Sequence, residues 1–427
     1  MRFALMTHGT RGDVQPLVAL GAELARRGNT VELAVPAGSA ALAERAGLRA
    51  IGLPGDWQQF LESPATDKQW LFSGDNAVLL GTLREIMAEH AAEIAKTLCG
   101  FSQGADVIVS GGLTEDIATV IAEALRVPLA LVHTYPLRPT GAVANPLVTP
   151  RSSQFSEENL QTHARYEQEN WKARRDGINR LRATLGLAAT DLPTPERARA
   201  LGAVEVQSYS AHVIPGLGWP RRRPVVGWIE PSQSDRAAFG ESGVDSPLAS
   251  WLDEGEAPAY FGFGSMPVPD PAAIAGLVER VSRDLGLRAV LSAGWAGLSA
   301  AAVEDGARVR VVGAVDHTAL LPRCRLAVHH GGAGTTGAAV RAGLPTMICS
   351  IMMDQAMWGE QLQRLGSGVH VPFAELDEDT LRAGVARLLE PSVVTRARQL
   401  GENVRAEPDA TIRAADAVTA LAAASVS

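Results

Sequence analysis

The sequence predicts an α/β protein made of two successive doubly wound domains. Three observations carry this. Apolar runs of strand length alternate with amphipathic stretches of helical period from residue 2 onward; the alternation lapses in a polar, Gly- and Pro-punctuated stretch over 228–246; and it then resumes as a second series. A chain of 427 residues has room for two or three domains at roughly 100–200 residues each. With 46% hydrophobic and 20% charged residues, each of them can bury a core.

In chain order, RFALMT reads as a strand, GTRGD as a loop, VQPLVALGAELARRG as an amphipathic helix and TVELAVP as a second strand, which together make a βαβ unit. The rhythm continues through a helix near 37–46, an apolar segment over 48–53, a long helix near 77–99, the strand DVIVS (106–110), a helix near 114–126 and the strand PLALVH (128–133). A Pro-punctuated loop and a long polar helix near 154–185 interrupt it, followed by brief strands at VEVQS and PVVGW. The second series places strands near 258–263, 288–292, 308–312, 325–329, 345–349 and 368–371, and the Ala-rich tail over 409–425 reads as a helix. Strands separated by helices make parallel sheets covered on both faces, and such sheets bind ligands at the carboxyl ends of their strands. The expected division is an N-terminal Rossmann-like domain over 1–227, a linker over 228–246, a C-terminal Rossmann-like domain over 247–405, and a helix over 406–427 that can pack back on the first domain.

Acidic residues outnumber basic ones, 47 to 39, for a net charge of −8. No global basic field attracts nucleic acid or an anionic membrane, so an anionic ligand needs a local site. Cys99, Cys324 and Cys349 are odd in number and lack paired spacing, which argues against a disulfide framework or a zinc site and fits a reducing cytoplasm. No signal-like segment opens the chain and no apolar run reaches about 18 residues. A soluble, unprocessed cytoplasmic protein without an integral membrane segment is expected.

The densest constellation is HHGGAGTTGAAVRAGLP, directly after the strand RLAVH. Gly331, Gly332 and Gly334 leave backbone N–H groups accessible, and TTGAAVRAG reads as a helix whose N-terminus carries partial positive charge. Such a turn cradles phosphate, with His330 adding a hydrogen bond or charge and Thr335 donating from the first helical turn. The plainer alternative is a tight strand-to-helix turn with an incidental His pair. Farther on, MMDQAMWGEQL offers Asp354 and Gln355 at the opening of another helix. A carboxylate beside an amide suits vicinal sugar hydroxyls; helix capping by Asp354 is the alternative.

With His330 in its glycine turn, Gly343-Leu344-Pro345 and Asp354-Gln355 in this order, the chain resembles the GT-B glycosyltransferases of family 1, the UDP-glycosyltransferase superfamily, in the branch of actinomycete natural-product and sterol glucosyltransferases. The resemblance implies two Rossmann-like domains facing a deep cleft, a UDP- or TDP-hexose as co-substrate, and neither a further cofactor nor a metal. Where plant members have Gly-His-x-x-Pro with that His as base, this chain has Gly12-Asp13-Val14-Gln15-Pro16, similar to the sterol and glycopeptide branches. Asp13 is thereby implied as general base, an N-cap on a helix starting near Val14 being the alternative. Thr10, Arg11, Ser265, His330, Gly331, Gly332, Gly334 and Thr335 are implied around the donor phosphates, Arg11 otherwise being a surface charge. Trp295 and Val315 are implied at the nucleotide base and ribose, core packing being the alternative for Trp295, and Asp354 and Gln355 at the sugar.

The departures bear on the base. The Trp and downstream Gln of the plant signature are missing from VVGAVDHTALLP, and its ribose-binding Glu falls at Ala338, so uracil and thymine stay open. Asp377-Glu378-Asp379 imitates a metal motif but opens a helix, and reads as a solvated cap. On the acceptor side, Trp57, Phe60, Trp70, Phe72, His133 and Tyr135 fall on insertions in the N-terminal domain; they suit an apolar, planar acceptor or the packing of those loops on their own domain.

The reading is an inverting, metal-independent glycosyltransferase. It would move a hexose to a hydroxyl of a lipophilic natural product such as a polyketide, macrolide, glycopeptide, flavonoid or sterol-like aglycone. A nucleotide-sugar epimerase of the same fold and a non-catalytic sugar-nucleotide-binding partner protein are the alternatives; no nucleic-acid partner is expected.

Overall fold

A computed structural model describes residues 1–56, 76–149, 151–237, 239, 243–264, 270–293, 308–313 and 315–424. The chain divides into two compact units, the first built on the amino-terminal half through Phe239 together with the segment from Pro408 onward, the second on Gly240–Glu407.

The first unit runs β1 (Arg2–Met6), α1 (Arg11–Arg26), β2 (Thr30–Pro36), α2 (Ala40–Arg45), β3 (Arg49–Leu53), α3 (Asn76–Phe101), β4 (Val107–Gly111), α4 (Glu115–Leu125), β5 (Leu129–His133), α5 (Ser156–Thr184), α6 (Thr194–Ala200) and β6 (Val204–Gln207). The strands form a parallel sheet in the order β3-β2-β1-β4-β5-β6. Alternate side chains feed opposite faces. Phe3, Leu5, Leu33 and Val109 join a core under α1, while Ala4, Met6, Ala34 and Ile108 join another with Ile94 and Leu98 of α3 and Ile121 of α4. Burial on both faces is why FALM, residues 3–6, reads as an unbroken apolar run.

PVVGW does not form a regular seventh strand of this sheet. It runs beside β6 as a bridge at Val225: the Gln207 amide donates to the Pro224 carbonyl at 2.9 Å and the Val226 amide to the Gln207 carbonyl at 3.0 Å, but Pro224 has no N–H to continue a regular ladder. Within the stretch read as a linker, Trp228, Ile229 and Phe239 are buried. Ile229 and Phe239 lie in the core under α1, as do Ala414, Ala415 and Val418 of the carboxyl-terminal helix.

The second unit runs α7 (Ser246–Asp253), β7 (Ala259–Gly262), α8 (Pro271–Asp284), β8 (Ala289–Ser292), β9 (Val309–Val312), α9 (His317–Leu320), β10 (Leu326–His329), α10 (Ala333–Arg341), β11 (Thr346–Ser350), α11 (Gln355–Arg364), β12 (Gly368–Pro372), α12 (Glu378–Leu388) and α13 (Pro391–Arg405). Its parallel sheet has the order β12-β11-β10-β7-β8-β9. Read from β9, this is the same doubly wound order as the first. The strand order reverses between β1 and β4 in one sheet and between β7 and β10 in the other, which is where open α/β sheets hold ligands. Among the described residues no helix is long and apolar enough to cross a membrane.

Candidate active site: two turns at the switch points

In the first unit, β1 is followed by Thr7 and His8, both fully buried. His8 Nδ1 accepts from the Gly9 amide at 3.0 Å, so its Nε2–H donates to the Pro54 carbonyl at 2.9 Å. Gly9 stands at φ 111°, and a Cβ there would lie 2.3 Å from Asp13 Oδ2, so only glycine lets the chain close this tightly on the carboxylate. The helix starts at Arg11, three residues before the expected Val14. Thr10 is the N-cap and Asp13 the third helical residue, which removes the reading of Asp13 as N-cap. Its carboxylate reaches back instead: Oδ2 accepts from the Thr10 amide at 2.9 Å and from the Thr10 hydroxyl at 3.3 Å. Burial pushes the Asp13 carboxyl up to about 6, and the two hydrogen bonds from Thr10 limit the rise.

Arg11 donates to Gln15 Oε1 at 2.8 Å and to the Phe239 carbonyl at 2.9 Å. Across the switch point, Thr114 Oγ1 donates to the Met6 carbonyl at 3.1 Å and tethers the end of β4 to that of β1. Beyond β5, His133 is buried with both ring nitrogens engaged: Gln207 Nε2 donates to Nδ1 at 3.1 Å, and Nε2–H faces Glu115 Oε2 at 3.1 Å. Glu115 also pairs with Arg138, which reaches Glu205 at 3.2 Å. Burial alone would raise Glu115, but Arg138 and His133 more than offset it and hold the carboxyl down at about 2. Tyr135 is half-buried on the loop that this network anchors.

In the second unit, β10 ends at His329 and His330 follows it, both buried. His329 Nδ1 accepts from the Gly331 amide at 3.0 Å, so that amide is not free for phosphate. Gly331, at φ 94°, would place a Cβ 2.6 Å from Ile348 Cγ2 and 3.1 Å from Gln355 Cβ. The glycine turn therefore lies directly against the Asp354-Gln355 turn. The His330 ring fills space left by two other glycines: a Cβ on Gly264 would lie 2.5 Å from its Cε1, and one on Gly332 2.7 Å from its Nε2. His330 Nδ1 is buried and has no hydrogen-bond partner among the described residues. Burial drives the imidazole down to about 4, with the Gly262 carbonyl partly opposing and His317 adding to the fall.

Helix α10 begins at Ala333, two residues earlier than the sequence suggested, with Gly332 as N-cap. The amides of Ala333, exposed Gly334 and half-buried Thr335 thus form its open first turn, beside an imidazole with a nitrogen to offer. This arrangement suits a diphosphate.

After β11 the chain passes Met353 at φ 57°, an uncommon conformation for methionine, to Asp354 and Gln355. Gln355 is buried, its Oε1 accepting from the Ile351 and Met352 amides at 2.8 and 3.0 Å, which leaves its amide nitrogen to donate. Asp354 occupies the N-cap position of α11, yet its side chain makes no capping bond; Oδ2 accepts from the Trp358 indole N–H at 2.6 Å. The capping alternative for Asp354 fails.

Val315 is half-buried against the cluster of Trp251, Tyr260 and Leu320. Ser265, Trp295, Trp57, Phe60, Trp70 and Phe72 lie outside the described residues. Asp377 caps α12, accepting from the Thr380 amide at 2.8 Å. Sequence reasoning missed Glu115, Arg138, Glu205 and Trp358. An acidic pair at a helix start, an arginine in a Pro-rich loop and a tryptophan at helical spacing carry no signal until the fold assembles them.

Residues 3–143 match the N-terminal domain of glycosyltransferase family 28, and residues 297–420 match the C-terminal domain typified by the erythromycin biosynthesis protein CIII. An uncharacterized glycosyltransferase of Mycobacterium tuberculosis is 35% identical over 97% of both chains. The O-mycaminosyltylonolide 6-deoxyallosyltransferase of Streptomyces fradiae is 32% identical over 95% of this chain and 94% of its own. Among solved structures, the glycosyltransferase VinC in complex with dTDP shares the fold, with a TM-score of 0.68 at 18% identity over 99% of each chain. Whole-length likeness to such transferases at above 30% identity, in a chain with two doubly wound sheets, makes this protein a glycosyltransferase of the GT-B fold.

Proposed function

We propose that the protein is an inverting glycosyltransferase that moves a hexose from a UDP- or TDP-sugar to a hydroxyl of a lipophilic natural product in the cytoplasm. The state of Asp13 carries this reading: Thr10 fixes one carboxylate oxygen, and burial lifts the group to about 6, into the range of a base working near neutrality. Asp13 takes the acceptor proton as the hydroxyl attacks the anomeric carbon from the face opposite the leaving group. Negative charge grows on the departing diphosphate, where His330, the open amides of α10 and the Thr335 hydroxyl donate. In this scheme those donors take the place of a metal, and Asp354 with the Gln355 amide holds the hexose.

A TDP-sugar is supported by the dTDP complex of the neighbour VinC. A macrolide-like acceptor is supported by the Streptomyces fradiae relative, whose name describes 6-deoxyallosyl transfer to O-mycaminosyltylonolide. Tyr135, with Trp57, Phe60, Trp70 and Phe72, forms the proposed acceptor contact, and His133 anchors that side.

A crossed screen of UDP- and TDP-sugars against aromatic, sterol and macrocyclic acceptors, read by mass spectrometry and with product anomers assigned by NMR, tests the proposal. A β-linked product from an α-linked donor, formed equally well in EDTA, is expected. Retained configuration, or a new sugar nucleotide formed from donor alone, overturns it, the latter in favour of an epimerase.

A further inference from the structure

The turn that carries Asp354 is clamped on both sides. Before it, Gln355 Oε1 gathers the amides of Ile351 and Met352 and brackets Met353 in its left-handed conformation. After it, Trp358, one turn along α11 and fully buried, donates its indole N–H to Asp354 Oδ2 at 2.6 Å. An aspartate at an N-cap ordinarily bends toward the first amides of its own helix. Here the side chain is drawn away from them. Phenylalanine would satisfy the packing demand at a buried position on this helix; tryptophan adds one donor, and that donor meets a charged acceptor at short range.

We propose that Trp358 is a positioning residue for the donor sugar. Its indole N–H holds the Asp354 carboxylate in the rotamer that meets a hexose hydroxyl, and so sets how strongly the intact sugar nucleotide is preferred over the bare nucleotide diphosphate. The inference rests on the reading of Asp354 as a sugar contact. Without the N–H, the carboxylate falls back on the amides of α11 and the sugar loses its acceptor.

The test is calorimetry with UDP-glucose, TDP-glucose, UDP and TDP on the full chain, comparing wild type, Trp358→Phe, Asp354→Ala and the double variant, with melting temperatures. Trp358→Phe is expected to weaken sugar-nucleotide binding about tenfold, the scale of a lost hydrogen bond to a charged group, while affinity for the bare diphosphate holds. Asp354→Ala loses at least as much, and the double variant loses no more than Asp354→Ala, since Trp358 acts only through that carboxylate. The isostere Trp358→benzothienylalanine keeps the ring volume and removes only the N–H, so it must reproduce the phenylalanine result even if Trp358→Phe folds poorly. A normal sugar preference in the isostere overturns the role of Trp358 while leaving Asp354 in place. A normal preference in Asp354→Ala, or no binding of either sugar nucleotide by wild type, removes the reading of Asp354 and this inference with it.

Discussion

The turns that follow β1 and β10 stand beside the switch points of two sheets with the same strand order, and they open alike. Each starts from a buried imidazole whose Nδ1 accepts the amide of a left-handed glycine at 3.0 Å, His8 with Gly9 and His329 with Gly331. What they present differs: a carboxylate in the first, an imidazole in the second. Burial moves both groups toward neutrality, Asp13 up to about 6 and His330 down to about 4. The same desolvation thus makes a carboxyl a weaker acid and keeps a histidine uncharged, the states that the proposed base and diphosphate ligand require.

The largest effect separates the two turns by function. Asp13→Asn keeps an acceptor oxygen for Thr10 and removes the base, so turnover is expected to fall about 10²- to 10⁴-fold, the usual worth of a general base. Affinity for UDP or TDP should stay put; its parallel loss would show that the carboxylate only holds the turn. The sign of the pKa shift adds a second readout. Between the ordinary carboxyl value and about 6, the folded protein keeps a proton that the unfolded chain has released, so stability falls as pH rises through that window. The asparagine variant should melt higher than wild type at about pH 7.5, with the difference vanishing near pH 4. Wild-type kcat/KM should drop about tenfold per unit below pH 6.

His330→Ala comes next. Loss of one buried donor to the diphosphate should weaken UDP and TDP binding roughly ten- to a hundredfold, following the ~1–3 kcal/mol attached to such a group. A bound diphosphate raises the imidazole pKa, so binding takes up a proton and wild-type affinity gains on acidification by more than the variant's does. Identical pH slopes in calorimetry would remove His330 from the diphosphate.

The two turns were unequally legible in the sequence. Glycines spaced after an apolar strand announced that the second is a tight strand-to-helix turn, but not which amides stay open: the Gly331 amide is taken by His329, and the open ones belong to Ala333, Gly334 and Thr335. The first was misplaced by three residues: GTRGD reads as loop, although Thr10-x-x-Asp13 has the capping-box spacing that starts a helix at Arg11. The alternation of strands and helices was readable where strands are buried on both faces, as in β4, β5 and β11, and the apolar runs stand out. PVVGW pairs beside β6 only as a bridge, because a full strand also needs backbone donors and Pro224 lacks one. The charges on Glu115, Arg138 and Glu205 come together from three separate segments, a long-range fact that no local pattern encodes.

The smallest expected effect concerns what the turns share. Asparagine places its Oδ1 near the position of an imidazole Nδ1, whereas alanine offers no acceptor. His8→Asn and His329→Asn should therefore keep their glycine amides satisfied, and the alanine variants should release them at a net cost of about 1 kcal/mol each, beyond the packing loss. If each imidazole serves only its own turn, His8→Ala lowers turnover a few-fold with nucleotide affinity intact, and His329→Ala lowers nucleotide affinity a few-fold with the acidic limb of the pH profile unmoved. Asparagine should restore most of each loss. The His8 case is the stricter one, because Nε2–H also holds the Pro54 carbonyl, and asparagine cannot span both bonds. Rescue by His329→Asn but not by His8→Asn would mean that the first turn depends on its tie to Pro54 as much as on Gly9. Failure of both would mean that ring packing at the strand ends, rather than the bond to the glycine amide, sets the two turns.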